Sequence, residues 1–149
     1  MSFNPKIKLA DWQGKSVWLI GASSGIGEAL ARKLSSLDAQ VILSARSADR
    51  LAELSRELPR SSPLAMDFTE GEALKAMWRQ ACEASAPSSM PDVVIVNAGS
   101  YEPMLAQDFD LIRAKQQFEV NVGGPLNVLA QVLPAYIAAE ATFSFLGVG

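Results

Sequence analysis

The stretch Gly21-Ala22-Ser23-Ser24-Gly25-Ile26-Gly27 decides how this chain reads. It follows an apolar run, Val17-Trp18-Leu19-Ile20, and opens a segment in which Ile26, Leu30, Leu34 and Leu37 share one helical face. A strand, a glycine turn and a helix in that order form a cradle for phosphate. Glycine adopts positive φ and lets a ligand approach the backbone. The start of the helix, near Gly25, presents unpaired N–H groups and the positive end of its dipole. The spacing is G-x-x-x-G-x-G, not the commoner G-x-G-x-x-G of dinucleotide sites. In a second reading the glycines serve only the tightness of the turn.

Outward from this turn, strand-like runs alternate with helical patterns. The runs fall at 17–20, 41–44, 63–66, 93–96 and 142–146. Val93-Val94-Ile95-Val96 is apolar on both faces, as befits a strand covered by helices on each side. Leu51, Leu54 and Leu58 line a second helix with Ser47 as its cap. A third starts in a capping box at Thr69-Glu70-Gly71-Glu72 and carries Leu74, Met77, Trp78 and Ala81. Residues 84–91 form a Ser/Pro-rich loop, and a long helix is expected over 108–139. Such alternation predicts an α/β fold, a doubly wound parallel sheet of order 3-2-1-4-5 in one domain over 1–149. Ligands bind such sheets beyond the carboxyl ends of the strands, where the winding reverses. Those ends carry the glycine turn, Arg46, Asp67 and Asn97-Ala98-Gly99.

Bulk properties narrow the function. The 149 residues suffice for one domain with a real core, and 49% are hydrophobic, which argues against disorder. A formal charge of −3 argues against a nucleic-acid surface. One cysteine, Cys82, excludes an intrachain disulfide and fits a reducing, cytoplasmic setting. Histidine is absent, which removes the commonest general base and metal ligand, so no metal site is expected. The first residues lack the apolar centre of a signal peptide. Polar residues and Pro134 interrupt the apolar tail, so no membrane span is expected.

Taken together, GASSGIG at 21–27, Asp67, Asn97-Ala98-Gly99 and Asn121 within FEVNVGGP resemble the short-chain dehydrogenase/reductase family. The resemblance covers nearly the whole chain. One departure is local: Ile20 stands where the family usually has threonine. The resemblance implies a Rossmann-like fold with a nicotinamide dinucleotide in the cleft. Gly21, Gly25 and Gly27 would surround the pyrophosphate, with Ile26 donating its N–H. Asp67 would accept from the adenine amino group with Phe68 beside it, and Asn97, Ala98 and Gly99 would line the adenosine side. Read for structure alone, Asp67 begins a turn and Asn97-Ala98-Gly99 is a tight strand exit.

The choice of dinucleotide follows from charge. NAD sites place an acid near the end of the second strand to accept from the ribose 2′-OH. Here the region reads Val41-Ile42-Leu43-Ser44-Ala45-Arg46-Ser47, without a carboxylate. The Arg46 guanidinium suits a 2′-phosphate, with Ser23, Ser24 and Ser47 as hydroxyl donors, so NADP(H) is favoured over NAD(H). In the plainer reading Arg46 is a solvated loop charge.

Within the family's catalytic set of Asn, Ser, Tyr and Lys, Asn121 matches the asparagine that holds a water in the proton relay. Pro125 has no N–H to give the Asn121 carbonyl, which leaves that carbonyl free, and a kink is expected there. The plainer reading is a bent helix. No Tyr-x-x-x-Lys pair occurs: Tyr101 is followed four later by Leu105, and Tyr136 by Glu140. The chain therefore reads as the cofactor-binding half of an NADP(H)-dependent oxidoreductase for an alcohol or carbonyl substrate, truncated after the fifth strand and inactive alone. A homo-oligomer is expected, with self-association through the exposed fifth strand. The alternative is a non-catalytic nucleotide-binding or interaction module that naturally lacks the Tyr-Lys half. A methyltransferase with a similar sheet is weaker, because the ribose-anchoring acid is missing.

Overall fold

The structure, a computed structural model, describes residues 12–140. The strand expected at 142–146 lies outside the described residues. Strand β1 (Ser16–Ile20) runs parallel to β2 (Gln40–Ser44) on one side and to β4 (Val93–Val96) on the other. Strand β3 (Ser61–Pro63) pairs beyond β2, so the described sheet has the order β3-β2-β1-β4. The helices are α1 (Gly25–Ser36), α2 (Ala48–Glu57), α3 (Gly71–Ala84), α4 (Leu111–Phe118) and α5 (Gly124–Ala138).

The pleat sorts the core into two layers. Successive strand side chains point to opposite faces. Val17 and Leu19 of β1, with Val41 and Leu43 of β2, meet Ala31 and Leu34 of α1 and Leu51 and Leu54 of α2. Trp18, Ile20 and Ile42 face the other way, onto Leu74 and Ala81 of α3 and Val128, Val132 and Tyr136 of α5. The sheet is thus wound on both faces. Polar groups within the core are paired. The Trp18 indole N–H donates to Ser44 Oγ at 2.9 Å, and the Tyr136 hydroxyl donates to the Pro91 carbonyl. Burial, with the charges of Asp92 and Cys82 adding, pushes the Tyr136 hydroxyl far above its usual titration range. Asp92 locks the start of β4 to the start of β1. Its Oδ2 accepts from Ser16 N at 2.9 Å and Ser16 Oγ at 3.1 Å, and its Oδ1 from Lys15 Nζ at 3.1 Å.

Three local expectations are corrected. The third strand's regular ladder is Ser61–Pro63, not 63–66. Beyond it single bonds still tie the chain to the end of β2, from Leu64 N to Leu43 O (2.8 Å) and from Met66 N to Ala45 O (2.9 Å). The capping box at Thr69 does not form. The N-cap of α3 is Glu70, and the Thr69 hydroxyl donates instead to Asp67 Oδ1 at 2.6 Å, a local turn outcompeting the helix cap. The long helix over 108–139 is divided. Asp110 caps α4, accepting from Ile112 N and Arg113 N, and a π turn at Glu119–Gly123 separates α4 from α5. There the Gly124 N–H bonds Glu119 O, five residues back, immediately before Pro125. The expected irregularity at this proline is a widened turn.

Candidate functional site

The chain leaves β1 at a turn pinned by two bonds to the end of β2, from Gly21 N (2.7 Å) and Ala22 N (3.1 Å) to Ser44 O. Gly21 has φ +91°, and a Cβ there would sit 2.6 Å from Ala98 N. The turn after β1 and the turn after β4 are in direct backbone contact at this point. Gly25 also has positive φ, +56°, but faces open space. Gly27 is different again: a Cβ on it would strike Gly21 O at 1.8 Å, so α1 lies directly on the turn.

Helix α1 starts without a side-chain cap. Its N-cap, Ser24, has an extended backbone and makes no capping bond. The first N–H to bond back is Glu28, onto Ser24 O at 3.3 Å. The amides of Gly25, Ile26 and Gly27 precede it and have no acceptor within the helix. Ile26 is 70% exposed. The arrangement is an anion site by geometry and dipole together.

This helix start opens into a cleft of about 1170 Å³ at the carboxyl ends of the strands. Its walls include Gly21, Ser23, Ser24, Ile26, Arg46, Asp67, Phe68, Asn97, Ala98 and Gly99, which sequence reading had assigned to four separate segments. Gly27 is buried behind the wall, where α1 meets the turn, and Gly25 is exposed at its rim. The cleft straddles β1 and β4, between which the strand order reverses.

Charge is unevenly distributed around it. Arg46 lies two residues past β2 and Arg50 in the first turn of α2; neither side chain has an ion-pair or hydrogen-bond partner among the described residues. The cleft's third arginine, Arg113, is neutralised by Glu102 at 3.2 Å and Asp110 at 3.7 Å. Ser47 caps α2 through a long bond from Arg50 N, 3.5 Å. Asp67 Oδ1 is held by the Thr69 hydroxyl (2.6 Å) and N–H (3.0 Å). The hydroxyl bond does most to hold this carboxyl below the usual range. Partial burial opposes it, and the Thr69 N–H and the charge of Arg46 assist. Oδ2 makes no hydrogen bond among the described residues and is free to accept. Phe68 is 7% exposed, and its ring packs on Gly124, where a Cβ would lie 2.3 Å from Cε2.

Asn121 sits in the π turn, beside the cleft. Its Oδ1 accepts from Ser100 N at 2.8 Å, and its Nδ2 donates to Ser100 O at 2.7 Å. Its side chain is therefore committed to the segment after β4. Gln117 and Glu102 make a matching pair of bonds and also line the cleft, as do Arg50 and Arg113. Sequence reading did not single out these four. The spacing Arg113, Gln117, Asn121 was the available signal, since residues four apart share a helix face.

Fold and cleft define a doubly wound α/β domain with its ligand site at the switch point. A profile of the short chain dehydrogenase family matches residues 15–142. The chain belongs to the short-chain dehydrogenase/reductase family. An uncharacterised oxidoreductase of Listeria innocua is 33% identical over 135 residues, covering 87% of this chain and 52% of that protein. Sulfoacetaldehyde reductase 2 of Chromohalobacter salexigens is 31% identical over 137 residues, covering 89% and 53%. Among solved structures, a metagenomic short-chain oxidoreductase in complex with NADP is 30% identical with a TM-score of 0.75, covering 87% of this chain and 59% of that one. A short chain dehydrogenase from Bacillus anthracis, 20% identical with a TM-score of 0.81 and coverage of 90% and 54%, shares the fold. The chain spans about half the length of the curated relatives it matches.

Proposed function

We propose that the cleft binds a nicotinamide dinucleotide, NADP(H) in preference to NAD(H). The chain is then the cofactor-binding part of an oxidoreductase acting on an alcohol or carbonyl substrate. The observation that carries this is one cleft holding both an uncapped helix start and Arg46, a cation just past β2 without an ion-pair or hydrogen-bond partner among the described residues. The amides of Gly25, Ile26 and Gly27 would hold the pyrophosphate, and the missing Cβ of Gly21 keeps the two turns together behind it. Asp67 Oδ2 would accept from the adenine amino group, with the backbone of Phe68 beside it. Asn97, Ala98 and Gly99 would form the adenosine and ribose wall. Arg46 would pair with the 2′-phosphate, assisted by hydroxyls of Ser23, Ser24 and Ser47. A relative of 30% identity crystallised with NADP lends support.

When bound, the nicotinamide supplies hydride exchange with substrate. The chain's own part is to fix the dinucleotide and to offer the Asn121 carbonyl, which Pro125 cannot engage, to a water in the proton relay. Because no Tyr-x-x-x-Lys pair occurs in these 149 residues, the chain alone should bind cofactor without turnover. Leu111, Phe118, Leu126 and Ile137 are more than half exposed, which supports self-association along α4 and α5. No helix among the described residues is long and apolar enough to cross a membrane, and a cytoplasmic setting is part of the proposal.

Titration of the chain with NADPH and with NADH, read by the fluorescence of its three tryptophans, tests the reading. Saturable quenching with NADPH the tighter ligand is the expected result. Failure to bind either dinucleotide would overturn it.

A further inference from the structure

We infer that Gln117 is a positioning residue for the dinucleotide site, acting with Asn121 as a two-rung clamp on the chain segment that leaves β4. The inference rests on the proposed function for its ligand and on hydrogen-bond geometry for its mechanism. Gln117 Oε1 accepts from Glu102 N at 2.9 Å, and Gln117 Nε2 donates to Glu102 O at 2.9 Å. Asn121 makes the same pair of bonds to Ser100 at 2.8 and 2.7 Å. Each side-chain amide thus imitates a strand neighbour, satisfying both backbone groups of one residue.

The spacing is mechanically matched. Four residues along a helix advance about 6 Å. Two residues of an extended chain advance about 6.6 Å and bring the same backbone edge round again. Residues 117 and 121 can therefore meet residues 102 and 100 in antiparallel order. An α-helix overshoots a full turn by about 40° every four residues. The π turn at Glu119–Gly123 winds less per residue and takes back part of that overshoot, which keeps Asn121 in line with Gln117. Arg113, one turn earlier, reaches the Glu102 carboxylate at 3.2 Å on the same face. The clamped segment follows directly on Asn97, Ala98 and Gly99, and Ser100 and Glu102 themselves line the cleft. No other side chain among the described residues bonds the backbone of Ser100 or Glu102. The clamp fixes how far this wall stands from the start of α1.

Gln117→Leu tests the assignment, with Gln117→Glu as a second variant that keeps the acceptor and loses the donor. NADPH and NADH affinities should fall by the same factor, roughly fivefold for Leu and less for Glu, with their ratio unchanged. Hydrogen exchange should quicken at the Glu102 and Ser100 amides while β1 and β2 keep their protection. A merely structural role would instead lower protection across the sheet, and that result overturns the proposal. So does wild-type affinity in a variant whose Glu102 amide exchanges freely. Should the Leu variant fail to fold, wild-type affinity in the Glu variant overturns it alone. If the unaltered chain binds neither dinucleotide, the functional reading falls. The clamp is then judged by exchange: unchanged Ser100 protection in Gln117→Leu refutes it, and faster exchange there sustains it.

Discussion

Three single-methyl substitutions in the glycine turn should separate three physical demands. Gly21→Ala meets two penalties at once. Its φ of +91° is unfavourable to an L side chain, and its Cβ would lie 2.6–2.8 Å from backbone atoms of Asn97 and Ala98. Left-handed backbone costs about 1–2 kcal/mol, and overpacking against backbone about 1–3 kcal/mol. Together these give roughly 2–5 kcal/mol, or about 5–15 °C in Tm for a chain of this size. Gly25→Ala meets only the first penalty, since nothing lies within 4 Å, and should lose about 1 kcal/mol. Gly27→Ala meets only the second, a Cβ 1.8 Å from Gly21 O, so α1 must slide off the turn. The gain in helix propensity, up to about 1 kcal/mol, offsets part of the clash. Its stability loss should fall below that of Gly21→Ala, which carries both penalties without that gain. Its dinucleotide affinity should drop more than that of Gly25→Ala, because the displaced helix start carries the proposed anion-binding amides. Urea unfolding followed by tryptophan fluorescence gives the stabilities, and NADPH titration the affinities. Wild-type stability in Gly27→Ala would refute the argument that helix and turn are in backbone contact.

Arg46→Ala should weaken NADPH at least tenfold while changing NADH little, as loss of a charge-assisted bond to a 2′-phosphate requires; equal losses in the two titrations would remove Arg46 from the site. Asp92→Asn should cost about 2 kcal/mol near neutral pH. Burial raises this carboxyl's pKa, but the bonds from Ser16 and Lys15 outweigh it and leave the folded value below 3.8. The stabilisation is therefore complete above the unfolded pKa and is lost as pH falls through the lower folded value, so the two proteins should converge in acid unfolding. A constant gap down to pH 2 would contradict the assignment. Gly124→Ala drives a methyl into the Phe68 ring and should destabilise by about 1–3 kcal/mol, seen as a lower urea midpoint at unchanged slope.

The sequence exposed most where side chains themselves carry the pattern. Strands β1, β2 and β4 were legible because their apolar residues fill one or both faces, and the glycine turn because each of its glycines answers a steric demand. Strand β3 was displaced by two residues because Ser61 and Ser62 carry no apolar signal; their place in the sheet is set by backbone pairing with β2. The capping box was misread because Asp67, two residues before Thr69, competes for the same hydroxyl, and propensity rules treat the positions singly. The π turn left no periodic trace, since one widened turn between two helices shifts the phase only slightly. Gln117 escaped for a different reason. Its partner is the backbone of Glu102, and a backbone partner leaves no residue type to recognise.

The two walls of the cleft are built from unlike materials, and this divides their tasks. The wall of β1, α1 and β2 rests on a closed core in which Val17, Leu19, Val41 and Leu43 are wholly buried. It can move only if that core opens, so a site placed there is held in fixed geometry. The facing wall comes from the segment after β4 and from α4, which buries none of its residues. Apart from Ala98 and Val120, which pack on the core, what fastens it is polar: the Asn121 and Gln117 amides and the Arg113–Glu102 pair, at exposed or half-buried positions. Such bonds are individually weak and open locally at low free energy. A diphosphate needs fixed amides and gains from the first wall. The facing wall keeps its distance from the first only while its amide bonds hold.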